Sequence, residues 1–404
     1  MLVALVRMQN SEVRSSVLLL IILILATALG PLAMSSFLPA LPEIQKAFET
    51  SSAVAQLTMS VSMVTMAVFA LIYGTMADRH GRRPVLITGI GVAVIGSLAC
   101  GIAPSIEWAI VGRALQAAGS TSGMILTRVI VYDVYGDKRS ASVLGYIIAT
   151  MTMAPLVGPI IGGVLIEEYS WRYIFFGVSG LAFLLWILTL VSLPETQKEP
   201  QTERGPLIPV ADYKALLVRP DVRNFLMFFA LSQSTFMAFL AGVPYLIAGH
   251  YNMPATLYGF FIAPVAVGYA AGGLLAGRYA DRVPHYTLVT RCAWASTLAV
   301  VIGVTLVASG WDSPWAICLP AALVSVAIAF ATPAAQTEIL SAAGRHAGSA
   351  SGFSSFFQLV FSAGVAQLVG WSAVFGPNGV LLPMLISSLA AALLISFTGT
   401  RFKR

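Results

Sequence analysis

The stretch Tyr73–Pro84, "YGTMADRHGRRP", sets Asp78, Arg79, Arg82 and Arg83 between two long apolar runs, and it has an echo. "GTMADR" at Gly74–Arg79 returns as "GRYADR" at Gly277–Arg282, 203 residues later in a chain of 404. Repetition at half-length marks a chain built from two structural repeats. In membrane transporters of that construction the substrate sits near midplane between the repeats.

The sequence around both copies is 58% hydrophobic and only 10% charged. Soluble domains average about 25% charged residues, so a water-soluble globule is excluded. Runs of roughly 20 apolar residues, enough to cross about 30 Å of hydrocarbon, recur along the chain. The segments of about 10 residues with alternating polarity that a transmembrane barrel needs do not occur.

Breaking the chain at its charged and Pro/Gly-rich points predicts an all-α polytopic membrane protein. The spans fall near 17–38, 53–77, 84–103, 108–131, 141–166, 171–193, 222–249, 256–280, 287–309, 314–337, 349–373 and 379–399. The first is too long for a signal-peptide core and reads as a retained span, with Met8 as an alternative start. The polar stretch Leu193–Asp221 divides the chain into an N-terminal six-helix half (1–193), a linker (194–221) and a C-terminal six-helix half (222–404).

With a cytoplasmic N-terminus, Lys46 and Arg172 fall outside and Arg113 falls within a span, while the other twenty of the twenty-three Lys and Arg lie on or at the cytoplasmic side. That is a positive-inside pattern with both termini cytoplasmic. An anionic inner leaflet accounts for the net charge of +6 without nucleic acid. Cys100, Cys292 and Cys318 are far apart in apolar surroundings and read as packing residues. His80, His250, His285 and His346 lack ligand spacing, so no metal is expected. There is no nucleotide-binding loop and no Ser/His/Asp set, so neither an enzyme, a cofactor nor ATP-driven transport is expected.

Three signatures in order resemble the major facilitator superfamily. "GTMADRHGRRP" is similar to its loop signature Gly-x3-Asp-Arg-x-Gly-Arg-Arg, matched by Gly74, Asp78, Arg79, Gly81, Arg82 and Arg83. "VGRALQAAG" (Val111–Gly119) is similar to the fourth-helix signature through Arg113, Gln116 and Gly119. "GYIIATMTMAPLVGPIIGG" (Gly145–Gly163) resembles the antiporter signature of the fifth helix, with Ala154 at a usual glycine. "SWRYIF" (Ser170–Phe175) and "LPET" (Leu193–Thr196) are also typical of the family. "SSFLPALPEI" (Ser35–Ile44) resembles the bicyclomycin/chloramphenicol-resistance branch of drug:proton antiporters.

The resemblance implies twelve helices in two pseudo-symmetric bundles, a bacterial inner-membrane location, a monomer, protons as partner and a small-molecule substrate. It also implies a cytoplasmic gate. Asp78 opposes the dipole of the helix it ends and so needs a partner. The resemblance supplies one at the start of helix eleven, Gly348–Ser351, and pairs a loop arginine with Asp133, both contacts existing only when the cytoplasmic side is closed. In the second copy only Asp281 and Arg282 persist, with Glu338 as acidic counterpart, so the gate is expected to be lopsided. The alternative, loop arginines that merely follow the positive-inside rule, leaves Asp78 unexplained.

Ala154, Gly158 and Gly162 recur at spacing four on helix five, flanked by Pro159 and Gly163; Gly268, Gly272 and Ala276 do the same on helix eight. Small stripes let backbones approach closely, and the superfamily sets these two helices against each other across the domain interface. Pro155 and Pro159 should also bend helix five.

Arg113 lies about a third of the way into the bilayer, counting roughly 1.5 Å per residue from Ile106. Insertion there costs at least about 2.5 kcal/mol, so it must face a cavity or a partner. It either organises substrate and proton coupling or is a structural arginine bonded to carbonyls. The branch normally carries an aspartate where Ser35 stands, and none of the seventeen acids falls securely mid-membrane. Glu338, near the inner end of helix ten, is a poor substitute by position, and Glu43 or Glu107 would require shifted span boundaries, so coupling is either peripheral or not of the usual kind.

Candidate pathway residues are Gln56, Met59, Tyr146, Gln233, Phe236, Phe239, Phe357 and Gln358, an adaptable apolar lining. One cation and no acid should favour neutral or anionic amphiphiles over lipophilic cations. The expected activity is efflux of small apolar or amphiphilic compounds; the alternative is an exporter or uniporter of a metabolite.

Overall fold

The computed structural model describes residues 10–151, 154–197, 210–279, 282–343 and 347–402, with side chains apart from those at 10–16, 137–142, 145–146, 148–151, 154–156, 210–212, 221, 342–343, 347–349, 351 and 398–402. All its long elements are helices: α1 (Asn10–Phe37), a short α2 (Leu41–Ala47), α3 (Ser52–His80), α4 (Arg82–Gly101), α5 (Ile106–Met151), α6 (Ala154–Glu168) and α7 (Arg172–Ser192). The second part of the chain adds α8 (Val210–Val218), α9 (Pro220–Pro244), α10 (Leu257–Tyr279), α11 (His285–Ala308), α12 (Trp315–Ala343), α13 (Ala347–Ser372) and α14 (Pro377–Phe402). Ten helices among the described residues are long and apolar enough to cross a membrane.

The other two expected spans, 108–131 and 141–166, fall in α5 and α6. Their shared run is broken at Gly136, whose φ of +64° and ψ of 179° are not helical. Pro159 lies inside α6, which begins one residue before Pro155.

Helix contacts follow the order of the chain. In the first half α5 packs on α4, α3 and α1, α4 on α7, and α6 on α1. In the second, α12 packs on α10 and α11, and α9 on α13 and α14. The two sets meet chiefly where α3 runs along α13 and, less extensively, where α6 meets α10.

The apolar core divides accordingly. At the end where α3 begins, here called the Ser51 end, one cluster joins both halves, combining Phe37, Met59 and Phe175 with Phe239, Tyr245, Tyr258 and Val380. At the opposite, Gly81 end there are two clusters. One is built from the first half around Leu23, Leu86, Ile130 and Leu185. The other is built from the second half around Phe228, Val289, Ile339 and Phe353, with Leu71 at its edge. Among the described residues the two halves share one core at the Ser51 end and have separate cores at the Gly81 end.

Candidate functional site

The Ser51 end is sealed by polar bonds as well as apolar contact. Ser52 Oγ donates to Gly370 O at 2.7 Å, Gln367 Nε2 to Ala53 O at 2.8 Å, and Ser60 Oγ to Gln367 Oε1 at 3.0 Å. Thr256 donates to Glu167 Oε1 through its backbone N (2.9 Å) and its hydroxyl (3.1 Å). Every one of these bonds crosses from one half to the other.

Between the halves lies a cavity of about 260 Å³. Met66 of α3 and Met124 and Arg128 of α5 form one wall; Gln336 and Leu340 of α12 and Ser354, Ser355, Gln358 and Leu359 of α13 form the other. Met124 and Arg128 share a face because they are four residues apart on a helix. A larger groove of about 480 Å³ lies between α11 and α12 around Leu298, Leu323 and Phe330, and belongs to the second half alone.

Of the residues expected in the pathway, only Gln358 lines the inter-half cavity. Met59 and Phe239 are buried in the Ser51-end cluster. Phe236 packs on Tyr269 with ring centres 5.5 Å apart, and Phe357 on Phe353 at 4.8 Å. Gln56 is fully buried, donating to Met59 Sδ at 3.1 Å, and its Oε1, like that of Gln233, has no partner among the described residues. The side chain of Tyr146 lies outside the described residues. Arg128, Met66, Met124, Gln336, Ser354 and Ser355 were missed. Arg128 sits within the expected span 108–131, but its nearness to the basic end hides it among the topogenic charges.

Arg113 is buried at a helix junction. It is 3% exposed. Its Nη1 donates to Gln116 Oε1 and its Nε to Thr58 O at 3.4 Å, while Gln116 Nε2 donates to Ser97 Oγ at 2.8 Å. The guanidinium centre stands 4.2 Å from the Phe37 ring and 5.9 Å from that of Phe175. Helices α1, α3, α4, α5 and α7 therefore converge on one buried cation, whose charge is offset by dipoles and aromatic faces rather than by an acid. The arginine bonded to carbonyls, one of the two readings open in the sequence, is the geometry found. Of the acids weighed as substitutes for the coupling carboxylate, Glu43 pairs with Lys46 at 3.0 Å and Glu107 accepts from Ser105 at 2.5 Å, both at the Ser51 end. That hydrogen bond holds the Glu107 carboxyl below its ordinary range.

The loop that opened the sequence joins α3 to α4 through Gly81, at φ +91°, where a Cβ would also come within 2.5 Å of Glu195 Oε2. The positive φ demands glycine, and a Cβ would in addition push the Glu195 carboxylate aside. Arg82 holds two acids of its own half, Asp78 at 2.5 Å and Asp133 at 3.3 Å, while Arg83 Nη2 donates to Leu190 O at 2.8 Å. Arg79 is half-buried in the last turn of α3. The arginine–Asp133 pair thus forms while the Gly81 end is parted, which corrects the expectation that it needs that end closed; all its members belong to one half. Asp78 meets Arg82; of the segment 348–351 expected opposite it, the backbone is helical and Ala350 is buried, while the side chains at 348, 349 and 351 lie outside the described residues. An added Cβ on Gly74 would meet open space.

Glu195 stands in the family-like "LPET", but no local pattern names its partner. It accepts from the backbone N of Arg82 (3.0 Å), Arg83 (3.2 Å), Thr196 (2.9 Å) and Gln197 (3.0 Å), closing the N-terminus of α4 from 113 residues away. Burial alone would raise its pKa, but the four N–H groups outweigh it and hold the carboxyl below its ordinary range. A depressed pKa contributes stability above the unfolded value and loses it as pH falls through the folded one. Glu195→Ala is accordingly expected to cost about 1 kcal/mol at pH 7, with the difference from wild type shrinking as acid protonates the carboxylate. Melting curves of the two proteins from pH 7 to pH 3 check this; a pH-independent difference would contradict it.

The second copy is built differently. Asp281 lies outside the described residues, and the Arg282 guanidinium stands 5.1 Å from the Tyr279 ring. Glu338 pairs with His285 Nδ1 at 2.7 Å instead of with Arg282. His285 is the repeat equivalent of Arg82, 203 residues on, so the acid is met at the same structural position by a different base.

The small stripes also address other partners than expected. A Cβ on Gly158 would strike Ser35 Oγ and one on Gly162 would strike Ser36 O, so the α6 stripe packs on α1. Gly268 and Gly272 abut Ala322, Ser325 and Val326, so the α10 stripe packs on α12. Spacing four announces close approach without naming the neighbour. At the interface itself, Gly163 lies against Ala255 and Thr256, and Gly259 against Ile160. Pro159 and Ala276 are buried; the side chain of Ala154 lies outside the described residues. Ser35 is buried, donating to Leu32 O at 3.2 Å.

Residues 23–366 match the family model "Major Facilitator Superfamily". The chain is 26% identical to "Uncharacterized MFS-type transporter YdgK" of Bacillus subtilis over 85% of this chain and 86% of that protein. It is 28% identical to a "Chloramphenicol resistance protein" of Pseudomonas aeruginosa over 62% of this chain and 59% of the relative. It is 31% identical to "Multidrug resistance protein MdtL" of Klebsiella pneumoniae over 43% of this chain and 45% of the relative, so both resistance relatives are matched over less than two thirds of their length. In fold it is similar to a bacterial homologue of the lysosomal transporter Spinster in an inward-facing, occupied conformation (TM-score 0.75, 17% identity, 96% and 97% covered). It is also similar to the nucleoside transporter NupG (TM-score 0.76, 14% identity, 95% and 100% covered). A helical, multi-pass membrane chain with a repeated loop and a cavity walled by both its halves, it belongs to the Major Facilitator Superfamily.

Proposed function

We propose that the protein is a secondary active exporter of small apolar or amphiphilic compounds that works by alternating access. The observation that carries this reading is the core that is shared at the Ser51 end and split at the Gly81 end, around a cavity walled by both halves. In this reading the chain forms twelve spans, as two six-helix bundles (1–193 and 222–404) joined by 194–221. Both termini are cytoplasmic in a bacterial inner membrane, the Gly81 end is cytoplasmic, and the state described faces inward. Gly74 and Gly277, with open space beside them, then find close neighbours only when that end shuts. The Asp78–Arg82–Asp133 and His285–Glu338 pairs keep each half rigid as it moves.

Relatives named for chloramphenicol and multidrug resistance favour drug-like cargo. No carboxylate lines the inter-half cavity among the described residues. That favours a second reading on one point, transport without the usual proton coupling. Reconstituted in proteoliposomes, the protein is expected to move chloramphenicol. Flux that speeds up at least fivefold under an imposed pH gradient supports proton antiport, while flux indifferent to the gradient sinks it and leaves facilitated export. No flux of chloramphenicol or of a broad panel of drug-like compounds would overturn the exporter reading in favour of a metabolite.

A further inference from the structure

The inter-half cavity carries a guanidinium with nothing to hold. Arg128 is exposed to it, on the same face of α5 as Met124. Among the described residues no hydrogen bond or ion pair engages it. Arg82, by contrast, is shared between two carboxylates, and Arg113 is spent on Gln116 and Thr58. Arg128 sits three residues inside the expected span 108–131 and is exposed to the cavity, so its guanidinium stays hydrated and available to a ligand. Here the described residues supply no partner, and the opposite wall offers amide and hydroxyl groups, Gln336, Gln358, Ser354 and Ser355, instead of an acid.

The guanidinium is a planar fork of donors that fits a carboxylate with two parallel bonds and binds it more strongly than a neutral acceptor. Around it, Met66, Met124, Leu340 and Leu359 form an adaptable apolar surface for a carbon skeleton. The same unpaired charge repels a cation, since no acid nearby offsets it. We propose that Arg128 is the anion-recognition residue of this cavity and that its preferred ligands are small amphiphiles bearing one carboxylate or a similar anionic group. The proposal rests on reading the cavity as the transport site, and it moves the selecting charge from Arg113 to Arg128.

The test uses the full chain in nanodiscs of zwitterionic lipid and two dyes on one xanthene frame, anionic fluorescein and a cationic rhodamine methyl ester. Binding is read by fluorescence anisotropy. Wild type is expected to bind fluorescein at least tenfold more tightly than the rhodamine. Arg128→Gln should lose at least tenfold in fluorescein affinity, and Arg128→Lys should keep part of it, because a point charge remains but the fork is lost. Gln336→Glu, which leaves Arg128 in place and gives it an acid across the cavity, should weaken fluorescein and strengthen the rhodamine, so the idea stays testable if Arg128→Gln does not fold.

Fluorescein affinity unchanged in both Arg128→Gln and Gln336→Glu, or equal binding of the two dyes by wild type, overturns the proposal. So does a guanidinium already occupied by lipid phosphate: fluorescein would then bind no better in zwitterionic discs than in discs rich in phosphatidylglycerol, and independently of Arg128. Chloramphenicol flux by wild type separates the two levels of the argument. Flux without charge discrimination defeats this inference alone, whereas Arg128-dependent binding without any flux leaves it standing and defeats the exporter reading.

Discussion

Arg113→Ala is expected to destabilise the folded protein by about 3–5 kcal/mol, the range for a large buried side chain cut to alanine with its partners left unpaired. The substitution empties the space over Phe37 and leaves Gln116 Oε1 without its donor in a helix junction that water does not reach. Arg113→Lys should recover little, because one ammonium cannot reach Gln116 and Thr58 while lying flat on the Phe37 ring. The double variant Arg113→Met with Gln116→Leu should recover more, since it removes the orphaned acceptor together with the charge. Thermal unfolding of the purified variants measures this. If Arg113→Ala melts like wild type yet no longer transports, the arginine belongs to the pathway and the structural reading of it fails.

Gly370→Leu should act on the conformational equilibrium with the fold intact. A Cβ at Gly370 would stand 2.6 Å from Gln56 Cβ and 3.3 Å from Ala53 Cα, across the seal between α3 and α13. Overpacking of this kind costs about 1–3 kcal/mol, charged only to the state in which the Ser51 end is closed, so the balance shifts by roughly 5- to 150-fold toward opening. Turnover falls with it, because every cycle must pass through the closed form. Labelling of an Ala366→Cys reporter, fully buried in the Ser51-end core, by a membrane-impermeant maleimide added from the outer side should rise in the Gly370→Leu background; Cys100, Cys292 and Cys318 are first replaced by alanine, because Cys100 and Cys318 belong to the same core and would be exposed with it. Unchanged labelling with unchanged flux would show that the seal is not a moving part.

Much of this fold was legible because hydropathy and charge act on whole segments. The expected 53–77 and 84–103 appear as Ser52–His80 and Arg82–Gly101, with Gly81 marking the turn between them. The half-length repeat was legible too, and it extends beyond the matched letters: His285 at the place of Arg82 keeps a base opposite an acid although the residue type has changed. What the sequence could not convey is direction. Gly158 and Gly268 announce close packing, but only three-dimensional placement says that they face α1 and α12. Glu195 caps a helix that starts more than a hundred residues earlier, a pairing no local pattern carries. Arg113 and Arg128 lie fifteen residues apart on one helix and look alike in sequence, yet one is locked in a junction and the other faces the cavity.

The two ends of the molecule differ in what they would trade with water. Parting the Ser51 end hydrates Met59, Phe239 and Tyr258; shutting the other withdraws Arg128, Gln336, Ser354 and Ser355. Apolar surface gaining water raises the heat capacity by about 0.45 cal/K/mol per Å², and polar surface gaining water lowers it by about 0.26, so its withdrawal raises it again. In the proposed turn from inward to outward the hydrated clasp at the Ser51 end raises the heat capacity, while the other end withdraws apolar Met66, Met124, Leu340 and Leu359 beside its polar groups and returns part of that rise. The resting occupancy of the two orientations should therefore follow a curved dependence on temperature. Cold weakens the apolar clasp at the Ser51 end, so in the exporter reading the share of molecules waiting for cargo from inside becomes a property of temperature as well as of any gradient across the membrane.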